Sequence, residues 1–579
     1  MKIKHLFGLA VIAAMTASCS SNEDLGTAGT GTNEAGVGYA TFTINLPSVS
    51  GTRAAGDPTY DQGTAKEYDV NDVTLLIFKK AGSSEGDYTF VEKADLGTMA
   101  PWKDENNSNG ITASSTITAK LNNVALTSEG STSDYYALAI LNNKNAADEN
   151  KITLPTSTTA TYSGWNEASN ADETKFKDNT KGFYMANAPV FVAGGEPTTL
   201  VNINRVYATK QKAETNAATT IHVERGLAKV SIHSNTFPST ITPSGTKYTG
   251  DKVDITAWKL DVTNKSTFPI HKTAGLTTNF STIWSNTTTT GASVTRFVDG
   301  SNPSFKRVHW GIDPNYSTAL DDLSDCQGAF TVLPADATID GAANEPQYCL
   351  ENTFDIEHMK QGQTTRVVFK ATYTPKGLPA GEKTFYKIGN STDLWSEANL
   401  IKQIKAKAVE VLGVAETKIT VDLEATANDI KNNAGTKLLV EDNVKNDGTA
   451  VSPTDIAKIN EKLGLKDAAG TDPIVGIATY KDGESYYIAR IKHFGALTPW
   501  TEGQDTYGTN NDENNTKYLG RYGVLRNNWY ELTIGSVSGP GTPDVPTIKP
   551  DVPDDENYRY ISVSVKILSW AKRSDTVDL

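Results

Sequence analysis

Two segments near opposite ends of the chain alternate apolar and polar residues without a break. In the first, residues 40–46, the apolar positions are Ala40, Phe42, Ile44 and Leu46. In the second, residues 561–567, they are Ile561, Val563, Val565 and Ile567. Strict alternation is typical of a β-strand that buries one face. Both segments are therefore predicted to be strands whose apolar faces need a cover.

The body of the chain is predicted to be mainly β. Short apolar runs separated by Thr, Ser, Asn and Gly indicate further strands, and this arrangement is typical of β-sandwiches. The clearest runs are residues 73–78, 135–141, 221–232, 365–373, 485–491 and 529–534. One region differs, because residues 394–412 place Ile401, Ile404, Ala408 and Val411 on one helical stripe. With a second predicted helix at 456–463, it forms a mixed insertion of about residues 394–464.

The N-terminus has the pattern of an export signal. Lys2 and Lys4 precede a short apolar run, and small residues then lead to Cys19. The cysteine after small residues resembles a bacterial lipobox, which predicts cleavage after residue 18 and lipidation of Cys19. A plain signal peptide with an incidental cysteine is the alternative. Residues 20–38 are rich in Gly, Thr and Asn, as a flexible tether would be.

A predicted loop follows the first alternating strand. Residues 47–58 are small, polar and interrupted by Pro and Gly, which indicates an exposed segment. Exposed loops are preferred sites of proteolysis. The bond between Arg53 and Ala54 is thus a candidate site for an Arg-specific protease, although the residues alone favour an ordinary linker arginine at this position.

A proline-rich segment precedes the second alternating strand. Pro540, Pro543, Pro546, Pro550 and Pro553 recur at short intervals, which favours an extended polyproline II form. At about 3.1 Å per residue, about 15 residues reach on the order of 45 Å. The last strand could therefore pair with another molecule, adding main-chain hydrogen bonds and side chains that fill pockets. Alternatively, it folds back onto its own domain.

Composition and motifs exclude several classes of function. The 579 residues contain 68 acidic and 54 basic side chains, a balance that argues against nucleic acid as a partner. The length predicts two or three domains. No zinc-binding HExxH, P-loop, dinucleotide or GxSxG motif occurs, so neither enzyme activity nor a metal or cofactor site is predicted. Cys326 and Cys349 can form a disulfide in an oxidising compartment or remain buried thiols.

In their order along the chain, several motifs resemble the type V fimbrillins of Bacteroidales, particularly shaft subunits of short fimbriae. Besides the lipobox and the proline-rich segment, they are Val70-Asn71-Asp72-Val73-Thr74, residues 223–230 (VERGLAKV), residues 348–353 (YCLENT), residues 523–528 (GVLRNN) and Leu568-Ser569-Trp570. The resemblance implies two tandem transthyretin-like β-sandwich domains, with the insertion in the second and a C-terminal donor-strand extension.

The resemblance also implies a division of the chain and a maturation path. The segments are a signal peptide (1–18), a propeptide with a removable strand (19–53), two β-domains (54–218 and 219–539) and a tether with its donor strand (540–579). The lipidated precursor reaches the outer membrane, and an Arg-specific protease cuts after Arg53. Loss of residues 40–46 opens a groove that the last strand of another subunit fills.

Three functions follow as alternatives. The first is a shaft subunit of an adhesive surface fimbria whose partners are further copies and accessory subunits. The second is an accessory tip or anchor subunit of the same fimbria. The third is a non-polymerising surface lipoprotein that binds glycans, for which Trp258, Trp284 and Trp310 are the candidate aromatic residues, although packing in the core is favoured for each.

Overall fold

The structure is a computed structural model. It describes residues 37–47, 67, 69–97, 103–104, 111–126, 134–144, 146, 148–178, 182–192, 196–245, 247–279, 297–298, 306–308, 310–317, 319–469, 474–493, 522–550, 552–554 and 561–569. Of residues 561–569, only the backbone is described.

Strands dominate the described residues, which confirms the predicted mainly β class. In chain order they are β1 Gly38–Pro47, β2 Val73–Lys79, β3 Thr89–Gly97, β4 Lys103–Asp104, β5 Ile111–Leu121, β6 Tyr135–Leu141, β7 Lys177–Asp178, β8 Gly182–Phe183, β9 Met185–Asn187, β10 Val201–Asn202, β11 Thr219–Arg225, β12 Leu227–Ile232, β13 Lys252–Asp261, β14 Thr263–Asn264, β15 Phe330–Thr331, β16 Gln347–Leu350, β17 Arg366–Thr374, β18 Phe385–Ile388, β19 Leu394–Trp395, β20 Ile419–Val421, β21 Gly435–Lys437, β22 Val444–Asn446, β23 Thr449–Ala450, β24 Ile477–Tyr480, β25 Glu484–Arg490, β26 Asn528–Val537 and β27 Ile561–Ser569. The helices are α1 Tyr162–Ala168, α2 Lys210–Thr215, α3 Leu276–Asn279, α4 Leu323–Ala329, α5 Glu397–Leu412 and α6 Pro453–Lys462.

The N-terminal part is built on one nine-stranded sheet. Its order is β3-β2-β6-β9-β11-β1-β5-β4, and β10 pairs with β6. Apolar residues of β1, β2, β5, β6 and β11 share a single core cluster. Strands from both halves of the sheet therefore contribute to one core.

The C-terminal part contains a β-sandwich. One sheet has the order β16-β12-β26-β27 and the other the order β13-β17-β25. Residues of both sheets, such as Val230, Trp258, Phe369 and Tyr530, form one buried cluster. Two sheets that share a core between their inner faces are the arrangement of a sandwich.

The backbone passes from the first part to the second at a single residue. β11 belongs to the first sheet and β12 to the sandwich, with Gly226 between them. The change of sheet therefore lies C-terminal to the division expected between residues 218 and 219. A Cβ on Gly226 would lie 2.2 Å from Phe176 Cδ1, so the close packing at this point requires glycine.

The predicted mixed insertion is present and has its own core. Residues of α5, α6, β18, β20, β22 and β24 form one cluster. Ser396 caps the N-terminus of α5 through its side chain, and Gly413 ends the helix in the left-handed conformation, with φ of 66°. The unit extends from β18 to β24, beyond the expected residues 394–464, because these strands pair with each other. None of the helices in the described ranges is long and apolar enough to cross a membrane.

Candidate functional site

Strand β1 fills a slot between two other strands. It pairs antiparallel with β5, from Gly38 opposite Leu121 to Leu46 opposite Ala113. On its other edge it pairs in parallel with β11, from Phe42 opposite Thr219 to Asn45 opposite His222. The first alternating segment is thus a strand, as predicted, and it lies inside a sheet rather than at an edge.

The apolar face of β1 is completely covered. Ala40, Phe42 and Ile44 have no exposed surface, and Leu46 is 4% exposed. Burial of each of the three larger side chains, Phe42, Ile44 and Leu46, stabilises the folded chain by about 1.5–3 kcal/mol. A chain without β1 would expose the matching apolar wall of the slot to water.

The polar face of β1 is also largely buried, which the alternation did not predict. The Thr41 hydroxyl donates to the Ala213 carbonyl of α2 at 2.8 Å, and it lies 2.9 Å from the Thr118 hydroxyl. The backbone of Tyr39 exchanges two hydrogen bonds with Tyr207, at 2.7 and 2.8 Å. Helix α2 and the segment before it therefore close the slot from outside.

One end of the slot is narrow. A Cβ on Gly38 would lie 2.4 Å from Val206 Cγ1. Ala40 is the next residue on the same face. Phe42, one of the largest fully buried side chains, follows Ala40 on this face. The slot thus widens from Gly38 to Phe42.

The second alternating segment forms β27 at the edge of the sandwich. Its backbone pairs antiparallel with β26, from Asn528 opposite Ser569 to Val537 opposite Ile561. The proposed donor residues Ile561, Val563, Val565 and Ile567 lie on this strand; their side chains are outside the described residues. The structure thus has the last strand folded back onto its own sandwich, one of the two arrangements left open by the sequence. Within the described residues, β26 is its only partner strand.

The proline-rich segment is bound along the sandwich, whereas the sequence suggested a stiff tether. Thr542 exchanges two backbone hydrogen bonds with Tyr486, each 2.9 Å. Val545 and Ile548 are 1% and 5% exposed. The Thr364 hydroxyl donates to Asp554 Oδ2 at 2.9 Å. Proline disfavours sheet interiors, but the residues between the prolines still supply hydrogen bonds and apolar side chains.

Three motifs quoted for the resemblance meet at the junction of the two parts. Leu227 pairs with Leu350 across β12 and β16. The Asn527 side chain accepts a hydrogen bond from the Arg225 N–H at 3.0 Å, and the Asn527 N–H donates to the Leu227 carbonyl at 2.8 Å. Segments far apart in the sequence therefore build one small structural unit.

A buried network of charges surrounds this unit. Arg307 pairs with Glu224, and Arg526 pairs with Glu351. His271 lies between them, with its Nδ1 3.1 Å from Glu224 Oε1 and its Nε2 3.4 Å from Glu351 Oε2. Burial alone would raise the pKa of both glutamates, but the facing arginines and His271 hold each pKa below its usual value.

A second buried ion pair joins Glu67, which precedes β2, to the junction. Lys229 Nζ lies 2.8 Å from Glu67 Oε1 and 3.7 Å from the centre of the Trp529 ring. Tyr348 also donates to the Glu67 carboxylate. Glu67 follows Arg53, so this anchor would stay with the chain after a cut at that residue.

The remaining predicted site residues fall into two groups. Cys19, Arg53, Ala54 and Trp284 lie outside the described residues. Cys326 and Cys349 are free and buried in different clusters, so the disulfide is not formed. Trp258 and Trp310 are fully buried and therefore offer no aromatic platform. The described residues contain no cluster of three or more His, Cys, Asp or Glu that could hold a metal.

Sequence reasoning missed the charge network. Glu224, Glu351 and Arg526 lie within the quoted motifs, but the motifs alone did not indicate that they meet. Nothing in the local sequence marks His271 or Arg307, which lie outside the helices and strands given above. Their burial depends on contacts between distant parts of the chain.

Comparison with known proteins supports the predicted resemblance. Residues 478–576 match the family model described as the C-terminal part of the major fimbrial subunit protein type IV, fimbrillin. This range contains β25, β26, the proline-rich segment and β27. Over these residues the match confirms the predicted resemblance to fimbrillins. No curated protein matches the chain.

Several solved structures align with most of the chain at low similarity. A protein from Parabacteroides distasonis assigned to cell adhesion is 10% identical, with a TM-score of 0.38 and coverage of 93% of this chain and 98% of that one. A fimbrilin from Porphyromonas gingivalis is 11% identical, with a TM-score of 0.36 and coverage of 93% and 99%. The tip fimbrial protein Mfa3 from the same organism is 10% identical, with a TM-score of 0.27 and coverage of 92% and 100%. TM-scores below 0.5 do not establish a shared fold, so the resemblance to fimbrillins rests on the match of residues 478–576.

Proposed function

We propose that this protein is a structural subunit of an adhesive surface fimbria that polymerises by strand exchange after its first strand is cut free. The match of residues 478–576 to a fimbrial subunit supports the coarser part of this proposal. The observation that carries the finer part is the position of β1 between β5 and β11, with its apolar face fully buried.

The first step is proteolysis between Arg53 and Ala54. The cut would separate β1 from every later strand, because all other described strands follow residue 54. The slot would then be held by a peptide that is no longer covalently attached. Loss of that peptide would expose two unpaired strand edges and an apolar wall, which favours capture of another strand.

The second step is donation of β27. Its alternation supplies four apolar side chains, Ile561, Val563, Val565 and Ile567, the same number as β1 supplies. As an edge strand it can leave β26 without separating the other strands of that sheet. The incoming strand would restore both hydrogen-bond ladders of the slot and cover its apolar wall.

Export and location complete the proposal. Lipidation at Cys19 would hold the precursor at the outer membrane during export, and the cut would release the mature chain from this anchor. The mature chain would then form a cell-surface fimbria from copies of itself together with accessory subunits. A tip or anchor subunit would need only one of the two exchange functions, whereas a shaft subunit needs both the slot and the donor strand.

The test uses the purified precursor and an arginine-specific protease. Treatment should release a fragment that ends at Arg53 and produce filaments or ladders of oligomers, measured by electron microscopy and gel electrophoresis. The matched control is Arg53→Ala, which should remain uncut at this bond and monomeric. A clean cut after Arg53 without any assembly would contradict the shaft role.

A further inference from the structure

The side chains of β1 match the slot between β5 and β11 better than those of β27, the strand proposed to replace β1. On the inward face of β1 the residues run Gly38, Ala40, Phe42, Ile44 and Leu46. Gly38 stands where a Cβ would lie 2.4 Å from Val206, and Phe42 is fully buried two positions beyond Ala40. The slot is therefore tapered, and its widest pocket is shaped for an aromatic ring.

The incoming strand has no aromatic residue with which to fill that pocket. Successive side chains of a strand point to opposite faces, so the face that carries Ile561, Val563, Val565 and Ile567 continues only to Arg559 and Ser569. The nearby aromatic residues Tyr558, Tyr560 and Trp570 belong to the other face. When the four apolar residues of the donor take the places of Ala40, Phe42, Ile44 and Leu46, the residue in the place of Phe42 is Val563 for one direction of insertion and Val565 for the other.

A branched aliphatic side chain in a ring-shaped pocket leaves unfilled volume. Interiors are close-packed, and such volume is costly because its walls lose contacts. Conversely, an Ile side chain of the donor in the place of Ala40 would have to displace neighbouring atoms. β1 and β27 therefore differ more in how side-chain volume is distributed along the strand than in their total side-chain volume.

We propose that the Phe42 pocket is the specificity-determining position of the slot and makes β1 its tighter occupant, so that exchange depends on cutting the covalent link and not on a better-fitting donor. This inference rests on the proposed function. While β1 is attached, its effective concentration at the slot is high and fixed by the chain. After the cut that advantage is lost, and a donor with fewer complementary contacts can compete.

The pocket is tested first by retention of the cut fragment. The precursor is cut after Arg53, and the fraction of chains that still hold the fragment is followed over time by size exclusion and native mass spectrometry. The unchanged fragment should leave the slot slowly, and Phe42→Val should speed its release at least about tenfold. Thr43→Ser, on the opposite face, is the matched control and should leave release unchanged. If Phe42→Val impairs folding of the precursor, Phe42→Leu serves the same purpose, with a smaller acceleration.

The donor strand provides the second test. Val563→Phe and Val565→Phe are made separately, and assembly is timed after the cut. The variant that places its ring in the Phe42 pocket should assemble faster than the unchanged chain, and which one does so reveals the direction of insertion. Equal release of the unchanged and Phe42→Val fragments, or no gain from either donor variant, would overturn the inference. If no chain assembles, the proposed function fails, while fragment retention still decides the role of the pocket.

Discussion

Arg307 and Glu224 form a buried ion pair across the junction of the first sheet and the sandwich, with 2.6 Å between Arg307 Nε and Glu224 Oε2. Glu224 belongs to β11, and Arg307 also donates to the Arg526 carbonyl at 3.0 Å. Both side chains are almost completely buried. This pair ties the wall of the slot to the part of the molecule that carries β27.

Replacing Arg307 should destabilise the protein strongly. Arg307→Met keeps much of the volume but leaves the Glu224 carboxylate buried without its main counter-charge, which costs roughly 3–5 kcal/mol. The free energy of unfolding from urea titration of the precursor measures the effect. Lys247→Met is the matched control, because the Lys247–Asp393 pair is about half exposed and its loss should cost less than about 1 kcal/mol. Equal effects of the two variants would contradict a structural role for the junction pair.

The same pair predicts a dependence on pH. Arg307 and His271 offset the burial of Glu224 and hold its pKa below the usual value of 4.5. Because the folded pKa is depressed, the pair stabilises fully above the usual value, and this stabilisation is lost as pH falls through the folded pKa. The difference in unfolding free energy between the unchanged chain and Arg307→Met should therefore be largest near pH 7 and shrink below pH 4.5. A difference that stays constant with pH would show that packing, and not charge, is responsible.

Gly226→Ala should destabilise the folded chain solely through steric overlap at the junction. The added Cβ would lie 2.2 Å from Phe176 Cδ1 and 2.7 Å from Cε1, and overpacking of this kind costs roughly 1–3 kcal/mol. Thermal unfolding should show a lower midpoint. Gly328→Ala in α4 is the matched control, because nothing lies within 4 Å of its Cβ, and a helical Ala should be neutral or slightly stabilising.

Two truncations should separate the last strand from the proline-rich segment. Removal of residues 555–579 takes away an edge strand and should leave a folded chain that does not polymerise. Removal of residues 538–579 also takes away Val545 and Ile548, which are buried, and it deprives Tyr480 and Tyr487 of their acceptors, the Gly541 and Gly539 carbonyls. The longer truncation should therefore unfold at clearly lower urea concentration. If the shorter one unfolds as readily, β27 is an integral strand of its own sandwich.

The sequence predicted those features that depend on local pattern. Alternation located β1 and β27, and helical spacing located α5 and α6, because both periods follow from backbone geometry. It did not predict that both faces of β1 are covered, since Thr41 gains its partner from α2, far along the chain. Nor did it predict the packing of Val545 and Ile548, because the prolines around them suggested an isolated segment. The meeting of His271 with Glu224 likewise depends on tertiary contacts that no local pattern records.

The direct continuation of β11 into β12 has a mechanical consequence for a fibre assembled as proposed. Tension would enter a subunit through the strand in its slot, which lies along β11, and leave through β26 and the proline-rich segment that leads to the donated β27. β11 continues through Gly226 into β12, and β12 pairs with β26. Pulling would therefore load whole ladders of hydrogen bonds in shear, and the buried ion pairs at Gly226 would keep the two halves from hinging apart. The insertion from β18 to β24 lies beside this path and would carry little of the tension.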